Sequence, residues 1–417
     1  MTMRLQKYSF GIGDRFALQG EAQLSAIMKA REQGISVAPV WNKSNREHQI
    51  IHSSPADTKN EANRAVRNLG WKDPFHVDAD HINLNTVDAF IGHADFFTLD
   101  VAESIGSPAP AEDSDAFLRT ARPYLGYLQI PGIGKPFEVT SDELTGISGQ
   151  FLGAIREASS IYRHIAERHG SEDFVAEVSM DEVMDAQTPV ELFFILLMIS
   201  HYRIPAQTIA PKFTGRFNKG VDYEGDAGRF RREFEQDLLV IKHATDIFGL
   251  PKNLKLSVHS GSDKFAIYPV MGELIRKHDS GIHVKTAGTT WLEEVIGLAM
   301  AGGEALDMAK KIYASAYRRQ EELCGPYAAV IDIDPGSLPH PDEVNRWDEE
   351  KFAGTLRHIP DHPDYHPGFR QLIHVGYKVA AEMGEDFLDM VRRHREVVGK
   401  QVTENIYDRH LKRLFDL

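Results

Sequence analysis

Residues 254–285 read LKLSVHSGSDKFAIYPVMGELIRKHDSGIHVK, and this stretch decides the fold class. It begins with a short apolar run, Leu254–Val258, that ends in polar residues. A helical pattern follows, and after it comes a second run, Gly281–Lys285. A strand, a helix and a strand in this order predict a βαβ unit, whose two strands lie parallel in one sheet.

The same alternation recurs along the chain, where eight short runs of β-forming residues are each followed by a helical pattern. Eight units of this kind predict an α/β fold, a (β/α)8 barrel of the TIM type. An open, doubly wound parallel sheet is the alternative. The predicted strands are Tyr8–Ile12, Ser36–Val40, Phe75–Ala79, Phe96–Leu99, Phe174–Ser179, Gln207–Pro211, Leu254–Val258 and Gly281–Lys285.

Two segments are too long to be the loops of a minimal barrel. Residues 102–170 contain the loop sequence SPAPAEDSD and end in a helical pattern, which predicts a helical insertion. Residues 326–417 contain a stretch rich in Pro and His and then two helical patterns, which predict a helical C-terminal extension. We therefore predict a single barrel domain over 1–417 that carries these two additions.

Charge and cysteine content narrow the class of protein. With 47 basic and 61 acidic residues among 417, the chain has a net charge of −14, which argues against nucleic acid or an anionic membrane as a partner. Cys324 is the single cysteine, so an internal disulfide and a thiolate metal cluster are excluded. The N-terminus lacks an apolar core of signal-peptide length, and the most apolar run, Leu192–Ile199, is too short to cross a bilayer. These features predict a cytoplasmic protein.

In a barrel of this type the active site lies at the carboxyl ends of the strands, and most of the predicted strands end in ionisable residues. In HVDADHIN, the strand period of two places Asp78 and Asp80 on one face, while His81 takes the other face or swings out where the strand ends. In AEVSMDE, Glu177 shares a face with Ser179 and Asp181. An interior Glu177 is costly to bury unless it is paired, protonated or bound to a metal ion.

His81 and His259 are the best candidates for nitrogen ligands of a metal ion, since each stands at a predicted strand end beside Asp or Ser. A carboxylate from the loop NKGVDYEGD, for which we choose Asp222, completes the predicted site. Such ligands suit a divalent cation such as Zn²⁺, Mn²⁺, Co²⁺, Ni²⁺ or Fe²⁺. In the alternative, the two histidines are hydrogen-bonded core residues or substrate contacts.

Asp80 and Glu177 are candidates for a general acid/base pair. Two carboxylates on opposite walls of a barrel can take a proton from one side of a substrate and return one on the other. The alternative is a structural ion pair, for example of Glu177 with Lys212 or Lys285. The turn HSGSDK, which ends in Lys264, either holds a carboxylate or phosphate through its backbone N–H groups or is an ordinary capped turn.

Six separated segments carry a resemblance to a known family. HVDADHIN, AEVSMDE, KGVDYEGD, LSVHSGSDKF, HVKTAGTTW and RQLIHVGY occur in this order and resemble the tagaturonate epimerase family. The resemblance covers the chain from about Tyr8 to the C-terminus. It implies an isomerase that interconverts D-tagaturonate and D-fructuronate with a divalent metal ion.

The resemblance also implies roles for individual residues. Asp80 matches the family's proton acceptor, and Glu177 matches its proton donor. His81 and His259 match metal ligands, and Asp222 is the expected third ligand.

Further residues are expected to contact the substrate. The sugar carboxylate is expected at Lys212, Lys264 or Lys285, although each lysine can equally be the ion-pair partner of a rim carboxylate. His283 is the second choice for the third metal ligand, or else a substrate contact. His374, in LIHVGY, is expected to reach the site as part of a wall or lid.

The implied reaction poses a chemical problem, because the two sugars differ at a carbon that is β to both the ketone and the carboxylate. Abstraction of an α-proton cannot invert that carbon. Retro-aldol cleavage, rotation of the aldehyde and re-addition is one route, and deprotonation of the inverted carbon itself is the other. A metal-dependent aldolase or ketose isomerase, and a non-catalytic sugar-acid-binding barrel, are the rival functions. The expected partner is a small sugar acid, and a homo-oligomer is left open.

Overall fold

A computed structural model describes residues 3–181, 183, 185–286 and 288–417. The strands are β1 (Tyr8–Ile12), β2 (Ala38–Ser44), β3 (His76–Ile82), β4 (Phe96–Asp100), β5 (Gly126–Leu128), β6 (Phe137–Val139), β7 (Val175–Ser179), β8 (Thr208–Ala210), β9 (Lys255–His259) and β10 (Ile282–Thr286). Eight of them form a closed barrel in the order β1, β10, β9, β8, β7, β4, β3, β2. All neighbouring pairs in the barrel are parallel, so the predicted (β/α)8 barrel is confirmed.

The interior of the barrel changes character along its axis. Leu5, Val40, Phe96 and Val175 form a small apolar cluster of their own, separate from the large core. Two residues further along β7 lies the buried Glu177. Because residues i and i+2 of a strand share a face, the interior is apolar towards the N-terminal ends of the strands and charged towards their carboxyl ends.

The second strand differs most from its prediction, Ser36–Val40. It runs over Ala38–Ser44 and continues through Asn42 and Lys43, which are both buried. Polar residues usually mark the end of a strand, so the sequence pattern placed the boundary too early. Here these residues stay in the strand because the upper barrel is itself polar.

Helices surround the barrel, and many begin with a side-chain cap. Thr188 and Glu191 form a capping box at the start of the apolar helix that contains Leu192–Ile199, and that run is buried throughout. No helix in the described residues is long and apolar enough to cross a membrane. The helices are α1 (Gly20–Glu32), α2 (Asn45–Ile51), α3 (Pro55–Asn68), α4 (Ala111–Ala121), α5 (Ser141–His169), α6 (Pro189–His201), α7 (Ala227–Ile247), α8 (Tyr268–Lys277), α9 (Thr289–Ala301), α10 (Gly303–Arg318), α11 (Gln320–Cys324), α12 (Pro341–Val344), α13 (Glu349–Leu356), α14 (Pro367–Val375), α15 (Tyr377–Met383), α16 (Glu385–Arg393), α17 (Arg395–Glu404) and α18 (Lys412–Phe415).

The chain between β4 and β7 contains α4, the antiparallel pair of β5 and β6, and the long helix α5. The two strands were not predicted, because three-residue strands leave almost no periodicity in the sequence. Thr140 caps the start of α5, where its side chain accepts a hydrogen bond from Glu143 N, and Gly170, with φ of 74°, caps the end. A residue in this left-handed conformation commonly terminates a helix.

After β10 the chain builds a second apolar core beside the barrel. Helices α9, α10, α13 and α14 contribute Trp291, Tyr313, Phe352 and Phe369 to it. The chain then returns to the barrel wall, where a π-helix, Asn405–Leu411, leads into α18 beside α8. The C-terminal region thereby covers the carboxyl end of β10, where α9 and α14 meet.

Candidate active site

An ammonium group lies in the upper barrel, surrounded by carboxylates. Lys285 Nζ, from β10, lies 2.9 Å from both Asp78 Oδ2 and Asp80 Oδ1. It also lies 3.0 Å from Glu177 Oε1 and donates to Thr98 Oγ1 at 2.7 Å. All five residues are buried. This is the ion-pair arrangement that was expected as the alternative to a bound substrate carboxylate at Lys285.

Burial and the neighbouring charges give the three carboxyls different acid strengths. Burial alone would raise each pKa, because the charged form loses its hydration. For Glu177, the charges of Lys285 and His259 outweigh burial and hold the pKa well below its usual range. For Asp80, Lys285 and the nearby imidazoles lower the pKa to about 2. Burial, with repulsion from Asp80, raises the pKa of Asp78 to about 7.

His81 has an unusual backbone conformation that turns its side chain towards the mouth of the barrel. Its φ is 50°, and the pairing of β3 with β4 shifts register between Ala79 and Ile82. Such an irregularity breaks the alternation of side chains along a strand. The His81 ring therefore lies near that of His259, with 5.0 Å between centroids. A residue other than glycine at positive φ stores backbone strain, and such residues cluster at active sites.

His81, His259 and Asp181 form a group of three potential metal ligands, whose ligand atoms all lie within 4.8 Å of one another. His259 Nδ1 lies 3.1 Å from Asp181 Oδ1. The Nδ1 atoms of both histidines are buried, and each faces a carboxylate, that of Asp181 for His259 and that of Asp100 for His81. Two imidazoles and a carboxylate suit a borderline divalent cation, so the residues present fit the predicted metal ion. The structure brings the two predicted histidines together.

Carboxylates next to these ligands favour positive charge at the same place. Asp100 Oδ2 lies 3.4 Å from His81 Nδ1, and Glu177 Oε1 lies 2.8 Å from His259 Nε2. Burial alone would lower the pKa of each imidazole, but the neighbouring carboxylates raise the pKa of His81 to about 10 and that of His259 to about 9. The same carboxylates stabilise a bound cation.

Asp222 lies outside this group, which corrects its predicted position as the third ligand. Its carboxylate accepts hydrogen bonds from Tyr223 N at 2.7 Å and Ala266 N at 3.1 Å, and it ties the loop after β8 to the loop after β9. Asp181, just beyond β7, takes the third place in the group. The sequence held a signal for this residue, because alternation along AEVSMDE places Asp181 on the face of Glu177.

Two lysines predicted as substrate contacts have other surroundings. Lys264 is buried, and its Nζ donates to Asn218 O at 2.9 Å and Val221 O at 2.8 Å, so it holds the loop after β8 in place. Burial lowers its pKa to about 7. Lys212 is half-buried, and its backbone exchanges hydrogen bonds with Gln187. The partner of Glu177 is thus Lys285 and not Lys212.

The two remaining predicted histidines lie on either side of this charged layer. His283 is two residues below Lys285 on β10, with its Nδ1 2.9 Å from Ser9 Oγ and its ring 5.3 Å from that of Phe96. Burial lowers the pKa of His283 to about 3, and the residue does not belong to the ligand group. His374, on α14, is buried beside the start of α9.

Comparison with known proteins shows which family the chain belongs to. The family model described as tagaturonate epimerase matches residues 1–414. The chain belongs to the tagaturonate epimerase family. The resemblance carried by the six sequence segments is thereby confirmed, and the chain is an epimerase, which is a class of isomerase.

Relatives of this chain include one named protein and two solved structures. A tagaturonate/fructuronate epimerase of Thermotoga maritima is 28% identical over 425 residues, covering 98% of this chain and 80% of that protein. A glycerol complex of the fructuronate-tagaturonate epimerase UxaE from Cohnella laeviribosi has a TM-score of 0.82 at 21% identity, and covers 99% of this chain and 82% of that one. The native structure of the same protein has a TM-score of 0.81 at 22% identity, and covers 99% of this chain and 83% of that one. At these identities the two structures support the fold alone.

Proposed function

We propose that this epimerase interconverts D-tagaturonate and D-fructuronate at the mouth of the barrel, and that His81, His259 and Asp181 hold a divalent metal ion for the reaction. The observation that carries the proposal is the convergence of these three side chains next to Asp80 and Glu177. Zn²⁺, Mn²⁺, Co²⁺, Ni²⁺ and Fe²⁺ are all compatible with the ligand types.

Asp80 and Glu177 are the proposed acid/base pair. When bound, a divalent cation polarises the carbonyl and hydroxyl oxygens of a ketose. Asp80 is an anion at neutral pH and is the proposed acceptor of a hydroxyl proton, since its pKa is about 2. Glu177 Oε1 lies 2.8 Å from His259 Nε2, and Glu177 carries a proton only after taking one up during the reaction, because its pKa is held well below its usual range. The same hydrogen bond orients the His259 ring and leaves Nδ1 facing Asp181.

The proposed route is retro-aldol cleavage. Asp80 takes the proton of the hydroxyl on the epimerised carbon, while the bond from that carbon to the carbon beside the ketone breaks. This leaves an aldehyde and an enediolate. Rotation of the aldehyde presents its other face, the same bond forms again, and the proton returns to the hydroxyl. No atom is gained or lost, as an epimerisation requires.

An NMR assay of D-fructuronate tests the reaction and the metal requirement together. The protein is first treated with a chelator and then supplied with Mn²⁺, Zn²⁺, Co²⁺ or Ni²⁺. We expect D-tagaturonate to appear only after a metal ion is added back. No turnover with any of these ions would contradict the proposal, and products with a changed skeleton or carbonyl position would favour the aldolase or isomerase instead.

Matched variants test the choice of ligands. Asp181→Asn removes a carboxylate from the ligand group, whereas Asp222→Asn removes one from the loop contact with Tyr223 and Ala266. We expect Asp181→Asn to lose most of the bound metal, measured by elemental analysis after dialysis, and Asp222→Asn to retain it. The reverse result would restore Asp222 as the ligand.

We also propose that the protein works in the reducing cytoplasm, because its single cysteine, Cys324, is a free thiol. Its proposed partner is the sugar acid alone. Light scattering of the purified protein decides whether the chain forms a homo-oligomer.

A further inference from the structure

Two polar side chains meet the start of a helix at the carboxyl end of β10. Gly288 precedes α9 with φ of 86°, and α9 has no side-chain cap. A Cβ atom at Gly288 would overlap His374 Nε2 and lie 3.0 Å from Arg15 Nη2. The guanidinium of Arg15, the imidazole of His374 and the N-terminus of α9 therefore surround one point, which we call the Arg15 pocket.

Both side chains of the Arg15 pocket are buried, and both keep unused hydrogen-bonding groups. Arg15 is 5% exposed, and its Nη1 has no hydrogen-bond partner among the described residues. His374 is 1% exposed, and neither of its ring nitrogens has a partner among those residues. Buried polar groups in folded proteins are almost always hydrogen-bonded, so the unused nitrogens of these two neighbouring side chains indicate a ligand.

Other contacts of Arg15 hold its guanidinium in place. Its Nε donates to Glu47 Oε1 at 3.1 Å, and its guanidinium lies 4.0 Å from the centre of the Tyr377 ring. Lys43 Nζ donates to the backbone carbonyl of Arg15 at 2.9 Å. The side chain is thus fixed on one edge by Glu47 and on one face by Tyr377, and the edge that carries Nη1 remains for a ligand.

The charges around the Arg15 pocket select an anion. Besides burial, the charges of Arg15 and Lys219 hold the pKa of His374 well below its usual range, so the imidazole is neutral and donates from one nitrogen. The N-terminus of a helix carries a partial positive charge and free N–H groups. A guanidinium binds a carboxylate through two parallel hydrogen bonds.

We propose that the Arg15 pocket binds the carboxylate of the sugar-acid substrate. This inference rests on the proposed function, which supplies the sugar acid. The proposed metal ligands come from β3, β9 and the end of β7. The Arg15 pocket lies after β1 and β10, and β10 is next to β9 in the barrel, so the two sites are at the same end of neighbouring strands. In the substrate, the ketone and the carboxylate lie on opposite sides of the epimerised carbon. Binding the ketone end among the metal ligands and the carboxylate in the Arg15 pocket places that carbon between them.

The test compares Arg15→Met with the wild-type protein, using D-gluconate and neutral D-glucitol as unreactive probes in calorimetric titrations. Loss of a charge-assisted hydrogen bond predicts an affinity for D-gluconate that is about 10- to 100-fold weaker, and a similar rise in KM for D-fructuronate. The affinity for D-glucitol stays the same. Arg216→Met, which removes an exposed charge paired with Asp332, is the matched control and leaves both affinities unchanged.

Each other outcome has a definite meaning. Unchanged binding of D-gluconate in Arg15→Met overturns the inference. Inorganic phosphate is titrated as a further probe, and a variant that binds phosphate more weakly but D-gluconate as tightly as the wild type also overturns it. If the wild-type protein binds D-gluconate through Arg15 but does not convert D-fructuronate, the result supports the Arg15 pocket as a carboxylate site and refutes the proposed function. If Arg15→Met does not fold, Arg15→Lys and His374→Gln undergo the same titrations, and unchanged binding in both overturns the inference.

Discussion

Replacement of Arg370 by methionine is the sharpest test of how the C-terminal helices are attached to the barrel. Arg370, on α14, is completely buried and uses all three of its nitrogens. It donates to Gly220 O at 2.6 Å, to Leu356 O at 2.7 Å and to Asp263 Oδ2 at 2.6 Å. Methionine keeps an unbranched apolar stem, removes the three donors and leaves the Asp263 carboxylate without its guanidinium.

The loss of stability follows from these contacts. Removing one partner of a buried ion pair costs about 3–5 kcal/mol, and each of the two carbonyls that loses its donor adds about 1 kcal/mol. We therefore expect the free energy of unfolding to fall by about 5–7 kcal/mol. Because the total for a typical protein is about 5–15 kcal/mol, the variant is expected near the limit of stable folding.

The stability difference between the wild type and Arg370→Met is expected to depend on pH in a definite direction. Burial alone would raise the pKa of Asp263, but Arg370, with His358 and His410, holds it well below the usual range. In the wild type, the charged carboxylate stabilises the fold above its unfolded-state pKa of about 3.9, and this stabilisation is lost below that pH. Without Arg370, burial raises the folded-state pKa, and protonation relieves the buried charge. The difference between wild type and variant should shrink as the pH falls from 7 to 5.

Urea unfolding at pH 7 and pH 5 measures both effects. Arg392→Met is the matched control, since Arg392 pairs with Glu385 and Asp389 on the surface, where such pairs contribute about 1 kcal/mol or less. Asp263→Asn in the Arg370→Met background should recover part of the loss. A loss below about 1 kcal/mol for Arg370→Met, or a loss that Asp263→Asn does not reduce, would refute the reasoning.

Three other substitutions have defined outcomes. Lys285→Met leaves three buried carboxylates without their cation and should abolish turnover and lower the melting temperature; unchanged melting would refute the central role of the ammonium. Glu294→Gln keeps the hydrogen bond from Gln19. Burial raises the pKa of Glu294 well above its usual value, so folding must keep this carboxyl protonated. Above about pH 4.5, the free energy of unfolding of the wild type should therefore fall relative to that of the variant by up to about 1.4 kcal/mol per pH unit. Parallel melting curves from pH 5 to 8 would contradict this. His81→Gly should be more stable than His81→Ala by about 1 kcal/mol, because glycine relieves the strain at φ of 50°, while both lose the metal ion.

Much of the barrel could be predicted because its strands are apolar runs bounded by polar residues. β1 matches its predicted bounds, and β9 and β10 lie within one residue of theirs. Where the barrel interior becomes polar, this signal fails, as it does for Asn42 and Lys43 in β2. The pattern of charges also exists in the sequence, since alternation places Asp78 and Asp80 on one face of β3.

The group of candidate metal ligands was only partly predictable, for a geometric reason. His81 and His259 stand out because few histidines end a strand. The third candidate ligand depends on which carboxylate turns inward. Strand alternation placed Asp181 on the face of Glu177, but the backbone hydrogen bonds that hold Asp222 elsewhere could not be predicted from a local pattern. Asp222 is held by Tyr223 N and Ala266 N, whereas Asp181 is free to face His259. His374 was expected at the site, but its proximity to Arg15 was not predicted, because the two residues are far apart in the chain.

The charges at the barrel mouth are divided between two sides, and this division bears on substrate choice. The side formed by β3, β4 and β7 carries an excess of carboxylates over the single ammonium of Lys285; these carboxylates are Asp78, Asp80, Asp100, Glu177 and Asp181. The side formed by β1 and β2 carries Arg15 and Lys43 together with the carboxylates of Asp14 and Glu47. A cation is attracted to the first side, and on the second side the unpartnered Nη1 of Arg15 is the donor available to a carboxylate. A neutral ketose can use only the cation side, so the proposed binding of a carboxylate in the Arg15 pocket would give a preference for sugar acids that the proposed metal site alone does not provide.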